Sequence, residues 1–309
     1  MRWRERAIVA FDTETTGLLP FGGDRIIEFA AVRMWLAPDG SVARTEPFTR
    51  LVNPGIPIPR KVTELTGISD ATVAGAPPFS TIASEVHTLL SDAVTVAHNY
   101  PFDLAFLTGE LRAAGLGWPA PLAEIDTVDL SIAKFPEERT HKLGDLCARL
   151  GIPLVGAHRA EADAAATGAC FAALARRHEV DDELQTLLDW ARAIGRPPDD
   201  GALAVDTRCR VVFAAGRHHG APVADHPVEL AWMATAKVLG PQGWGWRFSD
   251  ATRRWARRWL DVRGAGRSPT SPKVPHATDW VLDSCALPDR APERAPSRGR
   301  DDLHLRTVN

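Results

Sequence analysis

The sequence contains no uninterrupted apolar run of about 18 residues or more, so a membrane-spanning helix is not expected. Cysteine is scarce. Cys147, Cys170, Cys209 and Cys285 are scattered without a CxxC pair, which excludes the usual zinc-site spacing and predicts free thiols in a reducing cytosol. A basic excess is also missing. With 36 Lys and Arg against 39 Asp and Glu, the formal net charge is −3. Any contact with nucleic acid must therefore be local, or assisted by cations that neutralise phosphate. The opening Met1-Arg2-Trp3-Arg4-Glu5-Arg6 is charged, and the short apolar stretch behind it ends on an acid, unlike a secretory leader. These features predict a cytoplasmic chain. Internal repeats are absent as well.

What the chain does have is apolar content, 45% of 309 residues, enough for one sizeable core and a second small unit. Short apolar runs predict strands at Ala7 to Phe11, Ile26 to Trp35 and Phe48 to Val52, separated by turns at Pro20 to Asp24 and Pro38 to Gly40. That order suggests an antiparallel meander. Helical rhythm follows from Ser80 to Leu90, then a strand at Ala93 to Ala97 and an amphipathic helix from Pro101 to Leu116. A strand near Ile125 to Val128 and helices at Leu143 to Leu150 and Arg159 to His178 complete an α/β pattern, a mixed sheet of five strands flanked by helices. The Gly195-Arg196-Pro197-Pro198-Asp199-Asp200-Gly201 stretch reads as a linker. We expect a first domain over 1–180, a helix end and linker over 181–202, a small Trp-rich module over 203–262, and a disordered Pro/Ser/Arg/Asp tail over 263–309.

Three acidic elements carry the chemistry, and each is ambiguous alone. Asp12 and Glu14 end an apolar run two residues apart, so on a strand they share a face. Neighbouring carboxylates raise each other's pKa unless a cation lies between them, and hard oxygen donors suit Mg²⁺ or Mn²⁺. The alternative is a solvated strand end. Asp103 follows His98-Asn99-Tyr100-Pro101-Phe102 in the first turn of a helix, where the helix dipole favours an acid in any case. His158 and Asp163 are five residues apart, about 140° around a helix, so they share a site only if His158 belongs to the preceding loop. A histidine in that position can also be merely structural.

Taken in order, DxE at Asp12 and Glu14, HNxxFD ending at Asp103, and HxxxxD from His158 to Asp163 resemble the DEDDh branch of the exonuclease superfamily. This branch is typified by the DnaQ-like, epsilon-like proofreading subunit of the bacterial replicative DNA polymerase III. The likeness covers roughly residues 7 to 178 and includes Arg25-Ile26-Ile27-Glu28, Leu51-Val52-Asn53-Pro54 and Thr63-Glu64-Leu65-Thr66-Gly67-Ile68. It implies a ribonuclease-H-like fold and a metal-dependent 3′→5′ exonuclease releasing nucleoside 5′-monophosphates. It also implies two divalent cations, Mg²⁺ or Mn²⁺, held by Asp12, Glu14, Asp103 and Asp163, with His158 as general base. Asp12 would bridge the two ions. Thr15, Gly17, Leu18 and Phe102 would contact the 3′-terminal nucleotide, although Phe102 suits a core position equally well.

Beyond the first domain, Val211 to Asp225 and Leu230-Ala231-Trp232-Met233 resemble the module that follows the nuclease domain of bacterial exodeoxyribonuclease X, with Ser249 to Leu260 as its closing helix. Here Ala214 and Ala215 intrude into the family's pattern. Arg217, His218 and His219 beside glycine suit a phosphate contact or a solvated turn. Arg253, Arg254, Arg257 and Arg258 alternate with Trp255 and Trp259, which form either the module's own core or a stacking surface for single strands. The resemblance implies DNA, with single-stranded 3′ ends, as the partner, and a polymerase or repair proteins as further partners. A stand-alone repair or end-trimming enzyme leads the expectations. A polymerase-bound proofreading subunit and an RNA-directed exonuclease follow, and a non-catalytic scaffold ranks last because no catalytic position is lost.

Overall fold

The computed structural model describes residues 1–192, 195–240 and 243–265, with the side chains at 239, 240, 243, 244 and 262–265 outside that description. Five strands form one sheet: β1 (Ile8–Thr15), β2 (Ile26–Leu36), β3 (Val42–Leu51), β4 (Val94–Ala97) and β5 (Ala123–Asp126). Their spatial order is β3-β2-β1-β4-β5. The first three pair antiparallel as the expected meander, while β4 and β5 run parallel to β1. This mixed five-stranded sheet flanked by helices is the ribonuclease-H-like arrangement.

Alternation along β1 decides what each face holds. Val9 and Phe11 point into a cluster with α3 (Phe79–Leu90) and α4 (Tyr100–Ala113). Ile8 and Ala10 point the other way, toward α7 (Ala160–Arg177) and α8 (Leu184–Ala191). By the strand's two-residue period, Asp12 and Glu14 continue the face of Ile8 and Ala10 and so look toward α7. That helix lies unusually close. A Cβ at Gly168 would collide with Met34 and come 2.9 Å from the Ala10 Cβ, and Ala164 and Ala166 on the same helix are buried. Small residues thus bring α7 down onto β1.

The remaining helices of this part are α1 (Arg60–Thr66), α2 (Asp70–Val73), α5 (Thr127–Lys134) and α6 (Leu143–Leu150). Helix α5 replaces part of the strand expected to reach Val128. Asp126 accepts a hydrogen bond from the Val128 amide at 2.8 Å, so an N-cap ends the strand and opens a helix. Helix α4 stops at Ala113, before the expected Leu116, because Gly115 turns left-handed (φ 79°) and Leu116 N bonds back to the Leu111 carbonyl.

After α8 come two hairpins, β6 (Leu203–Val205) with β7 (Val211–Phe213) and β8 (Lys237–Gly240) with β9 (Gly243–Trp246), and the helices α9 (Pro227–Thr235) and α10 (Asp250–Ala265). Trp255 and Trp259 are buried in a cluster with Phe213, Leu230 and Met233, which settles the tryptophan stripe as core. The same cluster takes in Val128, Ile132 and Ala133 of α5, so this part is sewn to the sheet through that helix. Helix α10 runs through Ala265, three residues into the segment expected to be disordered; the rest of that tail lies outside the described residues. Among the described residues no helix is long and apolar enough to cross a membrane.

Candidate active site

The parallel strands β1, β4 and β5 all end at one edge of the sheet, and the acidic residues gather there. The register of β1 with β4 ends at Ala10 opposite Val96, so β1 continues past the end of its neighbour. The exposed edge is met by Asp103 from the first turn of α4. Its Oδ1 accepts from the Thr13 amide at 2.9 Å and from the Thr13 hydroxyl at 2.7 Å. Asp103 is thereby fixed beside Asp12 and is almost completely buried.

Across the other face, α7 contributes Asp163. Ligand oxygens of Asp12, Glu14 and Asp163 all lie within 4.8 Å of one another. Asp163 accepts a hydrogen bond from the His158 amide on Oδ2 at 3.1 Å, while its Oδ1 is sealed from water and has no hydrogen-bond partner. His158 sits on the loop before α7, as required, and is exposed with a left-handed backbone (φ 67°). One carboxylate therefore ties the histidine's loop to the acidic cluster.

The electrostatics of this cluster are unfavourable without a cation. Burial first, then Asp103, Glu14 and Asp163, push the Asp12 carboxyl well above its ordinary range. Glu14 is pushed up to about 8 by burial and by Asp163, Glu28 and Asp103. Burial raises Asp103 to about 7 against the lowering effect of its two bonds from Thr13. Asp163 is also raised by burial, opposed by its bond from His158. A buried Asp103 beside the half-buried Asp12, Glu14 and Asp163, with one Asp163 oxygen left without a hydrogen-bond partner, fits hard divalent cations.

Two further residues hold the site, and neither was given a role there from the sequence: Glu28 entered only as part of the Arg25-Ile26-Ile27-Glu28 motif. Glu28 is fully buried and lies directly opposite Glu14 on the β1–β2 ladder. It accepts from Arg159 Nη2 at 2.7 Å, from Arg159 Nε at 3.2 Å and from the Ala160 amide at 3.0 Å, gripping the first turn of α7. An acid inside the apolar run Ile26 to Trp35 was the available signal. Arg196 lay in the expected linker and gave none. It donates to Asn99 Oδ1 and Asp126 Oδ2, both at 2.8 Å, and pairs with Asp129 at 3.2 Å. Asn99 is the left-handed residue (φ 71°) that starts α4, and its amide is held by Asp126 at 3.0 Å. His98 next to it bonds Thr127 through Nδ1 at 2.8 Å, and burial lowers its pKa to about 4. Arg196 thus braces the turn that presents Asp103.

The segment after Glu14 is built around Asp24. Its carboxylate accepts from the Thr16 hydroxyl at 3.1 Å and the Leu19 amide at 2.9 Å. Thr15 turns its hydroxyl onto the Gly17 carbonyl at 2.6 Å. A Cβ at Gly17 would fall 2.6 Å from Asp24 Cγ, so any larger residue there must displace that carboxylate. Leu18, Leu19 and Phe21 project into solvent at 69%, 65% and 92% exposure. Phe102 is half-buried, packed on the core and tilted against Phe106 at 5.1 Å. Arg217 is occupied by Glu229 at 2.8 Å, and His218 stacks with His226. Cys147 and Cys170, distant in sequence, come within 3.6 Å across α6 and α7 as free thiols, Cys209 is also free, and Cys285 lies outside the described residues.

A family model described as Exonuclease matches residues 9–171. A DNA polymerase III subunit epsilon-like protein of Rhodobacter capsulatus is 44% identical over 165 residues, 53% of this chain and 23% of that protein. The 3′-5′ exonuclease DinG of Bacillus subtilis is 41% identical over 167 residues, 54% of this chain and 17% of that protein. The chain thus spans less than a quarter of these relatives' lengths. Among solved structures, exonuclease X in complex with 5′ overhanging duplex DNA covers 60% of this chain and 99% of its own, at 22% identity and a TM-score of 0.46. Exonuclease I of E. coli in complex with a dT13 oligonucleotide covers 55% and 41%, at 22% identity and a TM-score of 0.46.

Proposed function

Because the chain belongs to the exonuclease family, whose model spans just over half of it, we propose that it is a two-metal 3′→5′ exonuclease acting on DNA ends in repair or end trimming. The observation that carries this reading is the approach of carboxylate oxygens of Asp12, Glu14 and Asp163 to within 4.8 Å of one another. Bound Mg²⁺ or Mn²⁺ ions supply charge neutralisation at the attacking and leaving oxygens of a phosphodiester. Asp12, Glu14, Asp163 and Asp103 are the residues that would hold these ions. His158, tied to Asp163 through its amide, takes the proton from the attacking water as general base. The product is a nucleoside 5′-monophosphate.

Thr15, Gly17 and Leu18 grip the terminal nucleotide, with Phe102 packing on it from α4. Leu18 is exposed beside the carboxylates and offers an apolar edge to wedge between bases. We assign residues 1–180 to the nuclease domain and 181–202 to its helix end and linker, with 203–262 as an appended module like that of exodeoxyribonuclease X. A cytoplasmic setting and polymerase or repair proteins as partners belong to the same proposal.

Substrate class is tested by incubating the chain with Mg²⁺ and either single-stranded DNA or RNA of the same sequence, then identifying products by mass. Nucleoside 5′-monophosphates from DNA are expected. Products from RNA alone would keep the mechanism and overturn the substrate, whereas intact polymers in both arms would overturn the activity. His158→Gln is expected to lower kcat by about 10² or more, as for loss of a general base.

A further inference from the structure

The chain is acidic in total, yet residues 237–265 carry seven Lys or Arg and two Asp or Glu, a net charge of +5. The structure folds this stretch into the β8–β9 hairpin and α10, and sorts its residues. Trp255 and Trp259 go inward, which leaves Arg254, Arg257 and Arg258 on the exposed side of α10. Asp250 engages Arg254 and Arg253 at the start of the helix, and Arg257 reaches the Ala234 carbonyl at 3.3 Å. Trp246 on the hairpin faces solvent, at 46% exposure. The Arg253 guanidinium lies 3.9 Å from its ring centre and the Lys237 ammonium 4.8 Å. An aromatic ring with two cations close by and nearly half of its surface open to water suits contact with an unpaired base, and the charge suits its backbone phosphates.

The element that carries this surface is tied to the edge of the sheet where the carboxylates gather. Trp255 Nε1 donates to the Gly195 carbonyl at 2.9 Å, and the next residue, Arg196, bonds Asn99 at the start of the helix that bears Asp103. The module's core also includes Val128 and Ile132 of α5, which begins at the same edge of the sheet. We propose that Trp246 with the exposed arginines of α10 forms a second binding surface, for the single-stranded DNA lying 5′ of the end being cleaved. It rests on the nuclease reading above and adds a grip outside the catalytic pocket.

The test uses the full chain in EDTA, so that binding is read without cleavage. Fluorescence anisotropy compares a labelled trinucleotide with a labelled oligonucleotide of about 30 residues, long enough to reach beyond one binding site, over a range of KCl concentrations. The double variant Arg254→Glu, Arg258→Glu is expected to weaken binding of the long strand at least tenfold. Its salt slope should shrink by about 1.4, since single strands lose about 0.7 per phosphate contact. Trp246→Ala is expected to weaken long-strand binding about tenfold with the salt slope unchanged. Both variants should hydrolyse the p-nitrophenyl ester of thymidine 5′-monophosphate with Mn²⁺ as the wild type does. Wild-type binding of the long strand by both variants, or equal losses on trinucleotide and long strand, would overturn the surface. A wild-type chain that binds the long strand but leaves the ester intact would overturn the nuclease reading and uphold the surface.

Discussion

Glu28 and Arg159 form a two-point ion pair across the junction of β2 and α7, and the same carboxylate accepts the Ala160 amide. The helix that delivers Asp163, and the loop that delivers His158, are therefore clamped to the strand beside the catalytic β1. Glu28 is 1% exposed and Arg159 53%, so the arginine can rehydrate if the pair is broken, whereas the Ala160 amide cannot. Glu28→Ala should cost about 1–3 kcal/mol of stability, the penalty for a stranded buried donor. It should also weaken Mn²⁺ binding measured by calorimetry, because Asp163 loses its support. Glu28→Gln, which still accepts from the amide, should recover most of the metal affinity. Unchanged Mn²⁺ affinity in Glu28→Ala would show that the clamp serves only the fold.

Arg196 bridges Asn99, Asp126 and Asp129, and Asp126 and Asp129 carry mostly buried carboxylates. Burial and the neighbouring Asp126 push Asp129 up to about 7 even with the arginine present. Removing the cation leaves two buried acids facing each other, so Arg196→Ala should lose about 3–5 kcal/mol in a urea titration. Arg196→Lys should recover only part of this, because an ammonium cannot fork onto several acceptors. A loss below 1 kcal/mol, within the range of exposed pairs, would contradict a buried brace.

The metal-free site makes a signed prediction about pH. Glu14 rises from an ordinary 4.5 to about 8 on folding and Asp103 from 3.8 to about 7. Between those limits the folded chain keeps protons that the unfolded chain has released, so stability must fall as pH rises through the window. In EDTA, melting temperature should drop between about pH 5 and 8, and Glu14→Gln should flatten the profile by about 3 °C or more. Mn²⁺ should stabilise the wild type more at the upper end of the window than at the lower. Parallel profiles for wild type and Glu14→Gln would contradict the assigned burial and charge crowding.

Gly17 has no room for a methyl group beside Asp24, whose carboxylate shapes the segment that ends in Leu18. Gly17→Ala should displace that carboxylate and raise KM for a short oligonucleotide about tenfold, with a smaller effect on kcat. That split separates gripping from chemistry. An unchanged KM would remove this segment from the substrate site.

The meander, the five strands and the longer helices were legible because hydrophobic periodicity and turn residues mark them directly: the strand expected over Ile26 to Trp35 runs from Ile26 to Leu36, and Leu143 to Leu150 coincides with its helix. The acidic residues were legible as a set through their order and spacing. Their approach was legible in part, from the alanine run around Asp163 that lets its helix pack closely on the sheet; the contact of Gly168 with Ala10, between distant parts of the chain, was not. The short helix α5 was hidden behind Asp126, whose capping bond looks like nothing more than a strand's last residue. Arg196 was invisible for a related reason. A charged residue between Gly195 and Pro197 reads as solvated linker until the fold places two carboxylates around it. Trp255 and Trp259 were legible as a stripe, but only burial decides between core and surface.

The measurement closest to the central claim follows single-stranded DNA labelled at its 5′ end over time with Mg²⁺, with EDTA, and with Asp12→Ala in Mg²⁺. The account predicts a ladder that shortens steadily from the 3′ end with Mg²⁺ alone, and intact strand in the other two arms. Immediate release of the labelled terminal nucleotide, or cleavage that persists in EDTA or in Asp12→Ala, would contradict a metal-dependent 3′→5′ exonuclease built on these carboxylates.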